Sequence, residues 1–225
     1  MVALGAFVVG FAHAQPAIIF ELGGKNDKSF GQAAWEGAER WKKATGQGFE
    51  LDVQAFITEQ LLATLGVGYN KTRIDDPGLA VSPCGTTQYV FVSPHPNCTV
   101  SNPIDANGKA LINGNPLPQA PKMTANFTLK YTQPLAGGDA YVFTDWVYRD
   151  KVNFFLYQAT EFTGKALLEG GLRTGYTWGN GKYDAAFYVR NIANQIRIVG
   201  GIDFDNLTGF INDPRTYGVQ FKATF

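Results

Sequence analysis

Few residues in this chain have side chains suited to catalysis or metal binding. His13 and His95 are the only histidines among 225 residues, which all but excludes a histidine-based triad or a multi-histidine metal site. Cys84 and Cys98, the only two cysteines, share one Pro- and Asn-rich stretch with His95. Three such residues fall one short of a structural zinc set. In an exported protein the stronger reading is a local Cys84–Cys98 disulfide, which closes a loop of roughly 15 residues and is worth about 3 kcal/mol in a chain-entropy account. The carboxylates Glu50, Asp52, Asp145 and Glu169 are scattered, which suits solvation better than paired acid-base work. Arg73, Arg149 and Arg173 suit either an anionic ligand or ion pairs with those carboxylates, and the pairing is preferred. Gly164-Lys165 lacks the rest of a P-loop, and Gly23-Gly24 lacks the dinucleotide fingerprint. The expectation is therefore no enzyme, no catalytic residue, no metal and no cofactor.

Charge adds an exclusion of its own. The 19 basic and 19 acidic residues cancel, leaving no basic field for nucleic acid. The 26 Gly, 17 Phe, 10 Tyr and 4 Trp suit a β-barrel, where aromatics sit at membrane interfaces and small residues relieve curvature. A mean hydropathy of −0.12 is compatible with that, because barrel strands turn only every second side chain to lipid.

The elements that must position these residues begin with an apolar run over 2–12 that ends in Ala12-His13-Ala14. It is too short to span a bilayer as a helix and ends in a small-x-small cleavage pattern, so residues 1–14 are expected to be an export signal, without the Cys of a lipoprotein leader. Residues 17–22 suit a buried strand, Gly23-Gly24 a turn, and Ser29 with Gln32 a capping box opening a helix to about Ala44. From Gly48 the pattern changes to a period of two. Phe49, Leu51, Val53 and Ala55 alternate with Glu50, Asp52 and Gln54; after a turn near Thr58-Glu59, Leu61 to Tyr69 alternates back, which is a hairpin. Residues 75–121 carry no periodicity and read as a long loop. Alternation resumes at Met123–Tyr131, turns at 134–138, returns over 140–150 with Val142, Trp146 and Tyr148 opposite Asp145 and Arg149, and runs again from Leu168 to Trp178. Gly179-Asn180-Gly181 is a tight turn, 183–191 pairs back, 195–214 loops outward, and 215–225 closes the series. In that last segment Tyr217, Val219, Phe221, Ala223 and Phe225 alternate with Thr216, Gly218, Gln220, Lys222 and Thr224. The count is about seven strands of roughly ten residues, with short turns alternating with long loops.

Two resemblances follow. Gly23-Gly24, Asp27-Lys28-Ser29-Phe30, Ala33-Ala34, Gly37-Ala38-Glu39 and Trp41-Lys42-Lys43 resemble the mature N-terminus of the basic membrane protein family, periplasmic substrate-binding proteins of ABC importers. That resemblance implies Asp27 and Phe30 as ligand-facing residues and, as the alternative function, periplasmic binding of a nucleoside-like ligand. Glu21 and Gly31 depart from the usual Asp and Asn, and one strand-helix unit of about 30 residues cannot bury a core or form a two-lobed cleft.

The second covers residues 48–225. Gly48-Phe49-Glu50-Leu51-Asp52, Gly68-Tyr69-Asn70, Leu117-Pro118-Gln119-Ala120-Pro121, Trp146-Val147-Tyr148-Arg149, Val189-Arg190-Asn191-Ile192-Ala193-Asn194 and Pro214-Arg215-Thr216-Tyr217-Gly218 through Phe225 resemble the C-terminal barrel of a TonB-dependent receptor. It implies a mainly β fold: a partial, about seven-stranded antiparallel outer-membrane β-barrel sheet behind a short N-terminal strand-helix unit. It also implies an outer-membrane location, contact with outer-membrane lipid, and a terminal strand (Tyr217, Val219, Phe221, Phe225) read by the barrel-insertion machinery. The family takes up siderophores, vitamin B12 or carbohydrates with TonB-type coupling. Its barrels have about 22 strands around a plug, whereas this sequence supplies about seven and neither plug nor coupling box. The expectation is thus a chimera joined at about Gln47/Gly48, with residues 15–47 as a separate segment, not competent for transport alone. A secreted β-sandwich is the rival, in which the alternating aromatics would interdigitate between two stacked sheets.

Overall fold

A computed structural model describes residues 17–19, 48–84, 99–203 and 207–225 of the chain. They form fourteen strands and no helix: β1 (Ala17–Ile19), β2 (Phe49–Phe56), β3 (Leu61–Tyr69), β4 (Ala80–Val81), β5 (Ala110–Leu111), β6 (Met123–Leu135), β7 (Gly138–Arg149), β8 (Val152–Asn153), β9 (Thr163–Gly164), β10 (Leu167–Trp178), β11 (Tyr183–Arg190), β12 (Ile198–Asp203), β13 (Leu207–Ile211) and β14 (Thr216–Ala223). The main sheet has the order β1-β2-β3-β6-β7-β10-β11-β14. From β2 to β14 every pair is antiparallel and sequential, a seven-stranded meander. The three-residue β1 lies parallel to β2, with Ala17 opposite Glu50. The expected helix over 29–44 lies outside the described residues, as do Asp27, Phe30 and the export signal.

Hairpin chemistry sets the short connections. The 57–60 turn is held by the Leu61 N–H, which reaches the Thr58 carbonyl at 3.3 Å and the Thr58 hydroxyl at 3.1 Å. Gly179, Asn180 and Gly181 take positive φ values of 63°, 57° and 81° between β10 and β11, a conformation these residue types reach at least cost. The turn expected over 134–138 is tighter than its sequence suggests. β6 continues through Pro134 to Leu135, and Ala136-Gly137 alone reverses the chain, with Gly137 at φ 84°.

All three short turns lie at one end of the sheet and all three long connections at the other. Those long connections are not featureless. Residues 70–122 hold the β4/β5 pair, 150–166 the β8/β9 pair, and the stretch expected as a plain outward loop over 195–214 contains the β12/β13 hairpin. Gly200, Gly201 and Gly209 interrupt its alternation, which hides the hairpin from a period-two reading.

The buried core lies in these connections. Ile74, Cys84, Ala110, Ile112, Val152, Phe154, Tyr157, Ala159 and Phe162 form one cluster, with Val100, Ile104, Phe155 and Ile198 packed against it. Within the main sheet only Ala55 and Ala186 are buried hydrophobics among the described residues. Among the described residues no second sheet covers the aromatics of the meander, and they do not adopt the sandwich arrangement.

Candidate functional site

Register converts the alternation into two faces, because directly paired residues point to the same side of a sheet. One row runs Val53, Leu65, Phe127, Trp146 and Gly170 across β2, β3, β6, β7 and β10. A second runs Tyr131, Val142, Thr174, Phe187 and Val219 from β6 to β14. This face is apolar across all seven strands. Gly170 has a packing reason: the Trp146 ring lies where its Cβ would be, at 2.4 Å. Aromatics gather at both ends of the face. At the short-turn end, Trp178 is 6.0 Å from Tyr176, 5.5 Å from Tyr183 and 6.1 Å from Phe221 between ring centroids; at the loop end, Phe49 and Tyr69 are 6.2 Å apart.

The other face carries the polar and charged side chains, Glu50, Asp52, Asp145, Glu169 and Arg173 among them. Its centre is a network on β7, β10, β11 and β14. The Tyr141 hydroxyl donates to Asp184 Oδ2 at 2.8 Å and accepts from Arg173 Nε at 2.8 Å. Arg173 also donates to Asp184 Oδ1 at 2.6 Å and to Gln220 Oε1 at 2.5 Å. Gly175 makes this possible, since a Cβ there would stand 2.6 Å from the Tyr141 hydroxyl. Open grooves of about 440 and 500 Å³ both border on Arg173 and Phe143, and a third of about 310 Å³ lies beside Arg149 and Glu169.

The arginine expectation is corrected in its partners. Arg173 pairs with Asp184, Asp145 with Arg190 at 3.4 Å, and these are the two ion pairs among the described residues. Among the described residues Arg149 pairs with no carboxylate, and its Nε and Nη2 are buried without a hydrogen-bond partner. Arg73 is exposed in the first long connection. Asp184 and Tyr141 carry no signal in the sequence, and Arg190 and Gln220 none beyond a motif and an alternating position, because cross-strand register, which a single strand's pattern does not contain, brings them together.

At the loop end the three long connections interlock. The buried Tyr157 hydroxyl donates to Asp203 Oδ2 at 2.5 Å and accepts the Cys84 N–H at 3.0 Å, touching all three connections at one atom. Burial, and then the Asp203 hydrogen bond, pushes this phenol well above its ordinary pKa. Asn115 Nδ2 donates to the Leu156 carbonyl at 2.8 Å, and the Gln158 N–H to Asn102 Oδ1 at 2.6 Å. Cys84 is 2% exposed and does not titrate because it is disulfide-bonded; Cys98 and His95 lie outside the described residues.

Glu161 fastens the edge of this cap. Its carboxylate accepts the Thr99 N–H at 3.0 Å and the Thr99 hydroxyl at 2.8 Å. Partial burial alone would raise its pKa, but hydrogen bonds from its own backbone and from Thr99 outweigh that and lower it. With the folded value below the unfolded one, the contribution is fully present above the ordinary carboxylate pKa and is lost as pH falls through the depressed value. Proteolysis between 99 and 101 should therefore accelerate on acidification in the native protein. In Glu161→Gln it should already be fast at neutral pH and change little with pH.

Two of the sequence motifs meet here. Asn191, 1% exposed and at φ 45°, donates from Nδ2 to the Gln195 carbonyl at 2.9 Å and the Asp213 carbonyl at 2.8 Å, and accepts the Gln195 N–H at 3.0 Å. Asn194 Oδ1 accepts the Arg215 N–H at 3.1 Å. The 189–194 motif thus clamps the 214–218 motif and aims β14 back along β11. Asn191→Ala removes three hydrogen bonds to backbone groups, of which the two carbonyls keep Asn212 Nδ2 as a partner and the Gln195 N–H loses its acceptor, and it places alanine in the left-handed region, an expected loss of about 2–4 kcal/mol. Hydrogen exchange in β12, β13 and the start of β14 should rise accordingly, with β6 and β7 unchanged.

Of the terminal-strand residues, Tyr217, Val219 and Phe221 stand on the apolar face opposite Val189, Phe187 and Ala185, and Phe225 is exposed beyond the strand.

A sequential antiparallel meander with short turns at one end, long packed connections at the other, and one apolar and one polar face is the architecture of a segment of β-barrel wall. Solved structures bear this out at the level of fold. The chain is similar to the ferric yersiniabactin uptake receptor FyuA from Yersinia pestis, with a TM-score of 0.55 and 12% identity over 79% of this chain and 23% of that one. It is similar also to the siderophore receptor PiuA from Acinetobacter baumannii, with a TM-score of 0.53 and 17% identity over 77% of this chain and 21% of that one. The chain thus spans less than a quarter of the length of either receptor. No protein-family model and no curated protein matches the sequence.

Proposed function

We propose that residues 48–225 are the terminal wall of an outer-membrane receptor barrel of the TonB-dependent kind, whose assembled form imports a ferric siderophore or a nutrient of similar bulk. The apolar face meets lipid, the polar face with Arg173, Tyr141 and Asp184 lines the lumen, the long connections face outward, and the short turns face the periplasm. One observation carries the reading: an apolar face continuous over seven strands, with no second layer of protein on it among the described residues.

Dimensions support it. The 13 residues of β6 at about 3.4 Å each, tilted by about 45°, rise roughly 30 Å, the depth of a bilayer's hydrocarbon. The aromatic clusters at the two ends of the face then fall at the two interfaces. The Cys84–Cys98 disulfide belongs to this proposal as a staple on the outer cap in an oxidising compartment. Tyr217, Val219, Phe221 and Phe225 belong to it as the strand presented to the insertion machinery, and coupling to a TonB-type protein as a property of the assembled receptor.

The test is fluorescence in bilayers. With Trp35→Phe and Trp41→Phe in place, the remaining indoles, Trp146 and Trp178, both stand on the apolar face. Brominated phospholipids should quench both, Trp146 from acyl-chain positions near the bilayer centre and Trp178 from positions near the headgroup. Absence of quenching by lipid from any depth would end the proposal.

A further inference from the structure

We infer that, outside the membrane, the β14 edge is covered by β14 of a second copy of this chain, about a two-fold axis perpendicular to the sheet. The first observation is exposure. Large apolar side chains on interior strands of the apolar face are 38% exposed at Phe127, 45% at Val142 and 43% at Phe187, whereas on β14 Tyr217 is 74%, Val219 85% and Phe221 65% exposed. The excess is the area that one more strand would cover, beside a row of outward backbone groups that invites pairing.

Strand direction then selects the occupant. Seven antiparallel strands are an odd number, so β2 and β14 run the same way, from the loop end to the short-turn end. A second copy added head to tail in the same orientation would set β14 beside β2 in parallel, and β2 already carries β1 along Glu50–Asp52. Rotation by 180° about the sheet normal reverses strand direction and keeps the faces. β14 against β14 is therefore antiparallel by symmetry, with both apolar faces on one side.

Matching the faces requires like-facing residues to pair. Centring the ladder on Val219 sets Val219 against Val219, Tyr217 against Phe221 on the apolar side, and Lys222 against Thr216 on the polar side, so no like charges oppose. This arrangement puts the two outer caps at opposite ends, so it cannot coexist with insertion in a single membrane. Covering the edge and spanning the bilayer are alternatives.

The inference rests on strand directions and edge exposure, not on the lipid reading, and is tested apart from it on the full chain in detergent micelles. Sedimentation should give a dimer, and Val219→Cys should cross-link to itself on oxidation at a yield at least tenfold above a mixture of Val219→Cys with Val53→Cys. The Thr224 N–H bonds inward to the Lys182 carbonyl, so in the register of β14 the N–H of Val219 points outward; Val219→Pro removes that outward donor and should return the species to monomer while leaving the exchange protection of β6 and β7 intact. A monomeric wild-type chain would overturn the inference, as would preferential cross-linking of Val219→Cys to Val53→Cys, or dimers that persist in Val219→Pro.

Discussion

Phe127→Arg is expected to cost about 2–4 kcal/mol of insertion free energy, while Asn126→Arg, one residue away, costs within ~1 kcal/mol. The two positions are neighbours in β6 but stand on opposite faces: Phe127 pairs with Leu65 and Trp146 on the apolar side, Asn126 with Gly66 and Val147 on the polar side. A guanidinium near the middle of the hydrocarbon loses its hydration with no partner in reach, and the penalty is largest at the bilayer midplane. On the polar side the same group stays in water. Folding into vesicles from urea, followed by gel mobility and protease protection, measures both variants under one condition. Equal costs at the two positions would mean that the faces are not solvated differently, and the wall assignment would fail with them.

The second large effect belongs to the cap formed by the long connections. Phe162→Ala should destabilise it by about 3–5 kcal/mol, the range for deleting a fully buried aromatic ring. Phe162 is 2% exposed, packs edge-on against Phe155 at 4.5 Å and Tyr157 at 6.1 Å, and underlies Gly201 of β12. It therefore touches the second and third connections directly and the first through Tyr157. Removal should expose 99–122, 150–166 and 196–212 to protease together, while exchange protection in β6, β7 and β10 persists. Loss confined to 150–166 would show that the three connections fold independently.

The two predictions probe different solvents. On the proposed function, the sheet's apolar face is stabilised when lipid covers it, because in water its side chains gain nothing from one another beyond neighbour contacts along and across strands. The cap is stabilised by ordinary burial in water. Damage to one should therefore leave the other's signal in place.

Much of the wall was legible from residue order. A period of two needs only the pleat, so Phe49 to Ala55, Met123 to Tyr131 and Tyr217 to Phe225 announce strands and assign each residue to a dry or a wet face without reference to any other strand. Gly179-Asn180-Gly181 announces its own turn, because positive φ is a property of those residues. Short and long connections alternate along the sequence itself, so the placing of turns at one end and caps at the other was already implied.

What interacts across strands was not legible. Arg173 with Asp184, the Tyr141 hydroxyl between them, and Arg190 with Asp145 depend on register, and register is fixed by hydrogen bonds between segments that no local pattern encodes. The cap was hidden for a related reason. Ile74, Ile112, Phe154 and Phe162 have no common period, since an irregular core is assembled from loops meeting at angles that only the finished sheet imposes. Alternation is a local consequence of backbone geometry and survives in the order of residues, whereas partnership is a consequence of where distant strands are set side by side, and the tertiary structure alone decides that.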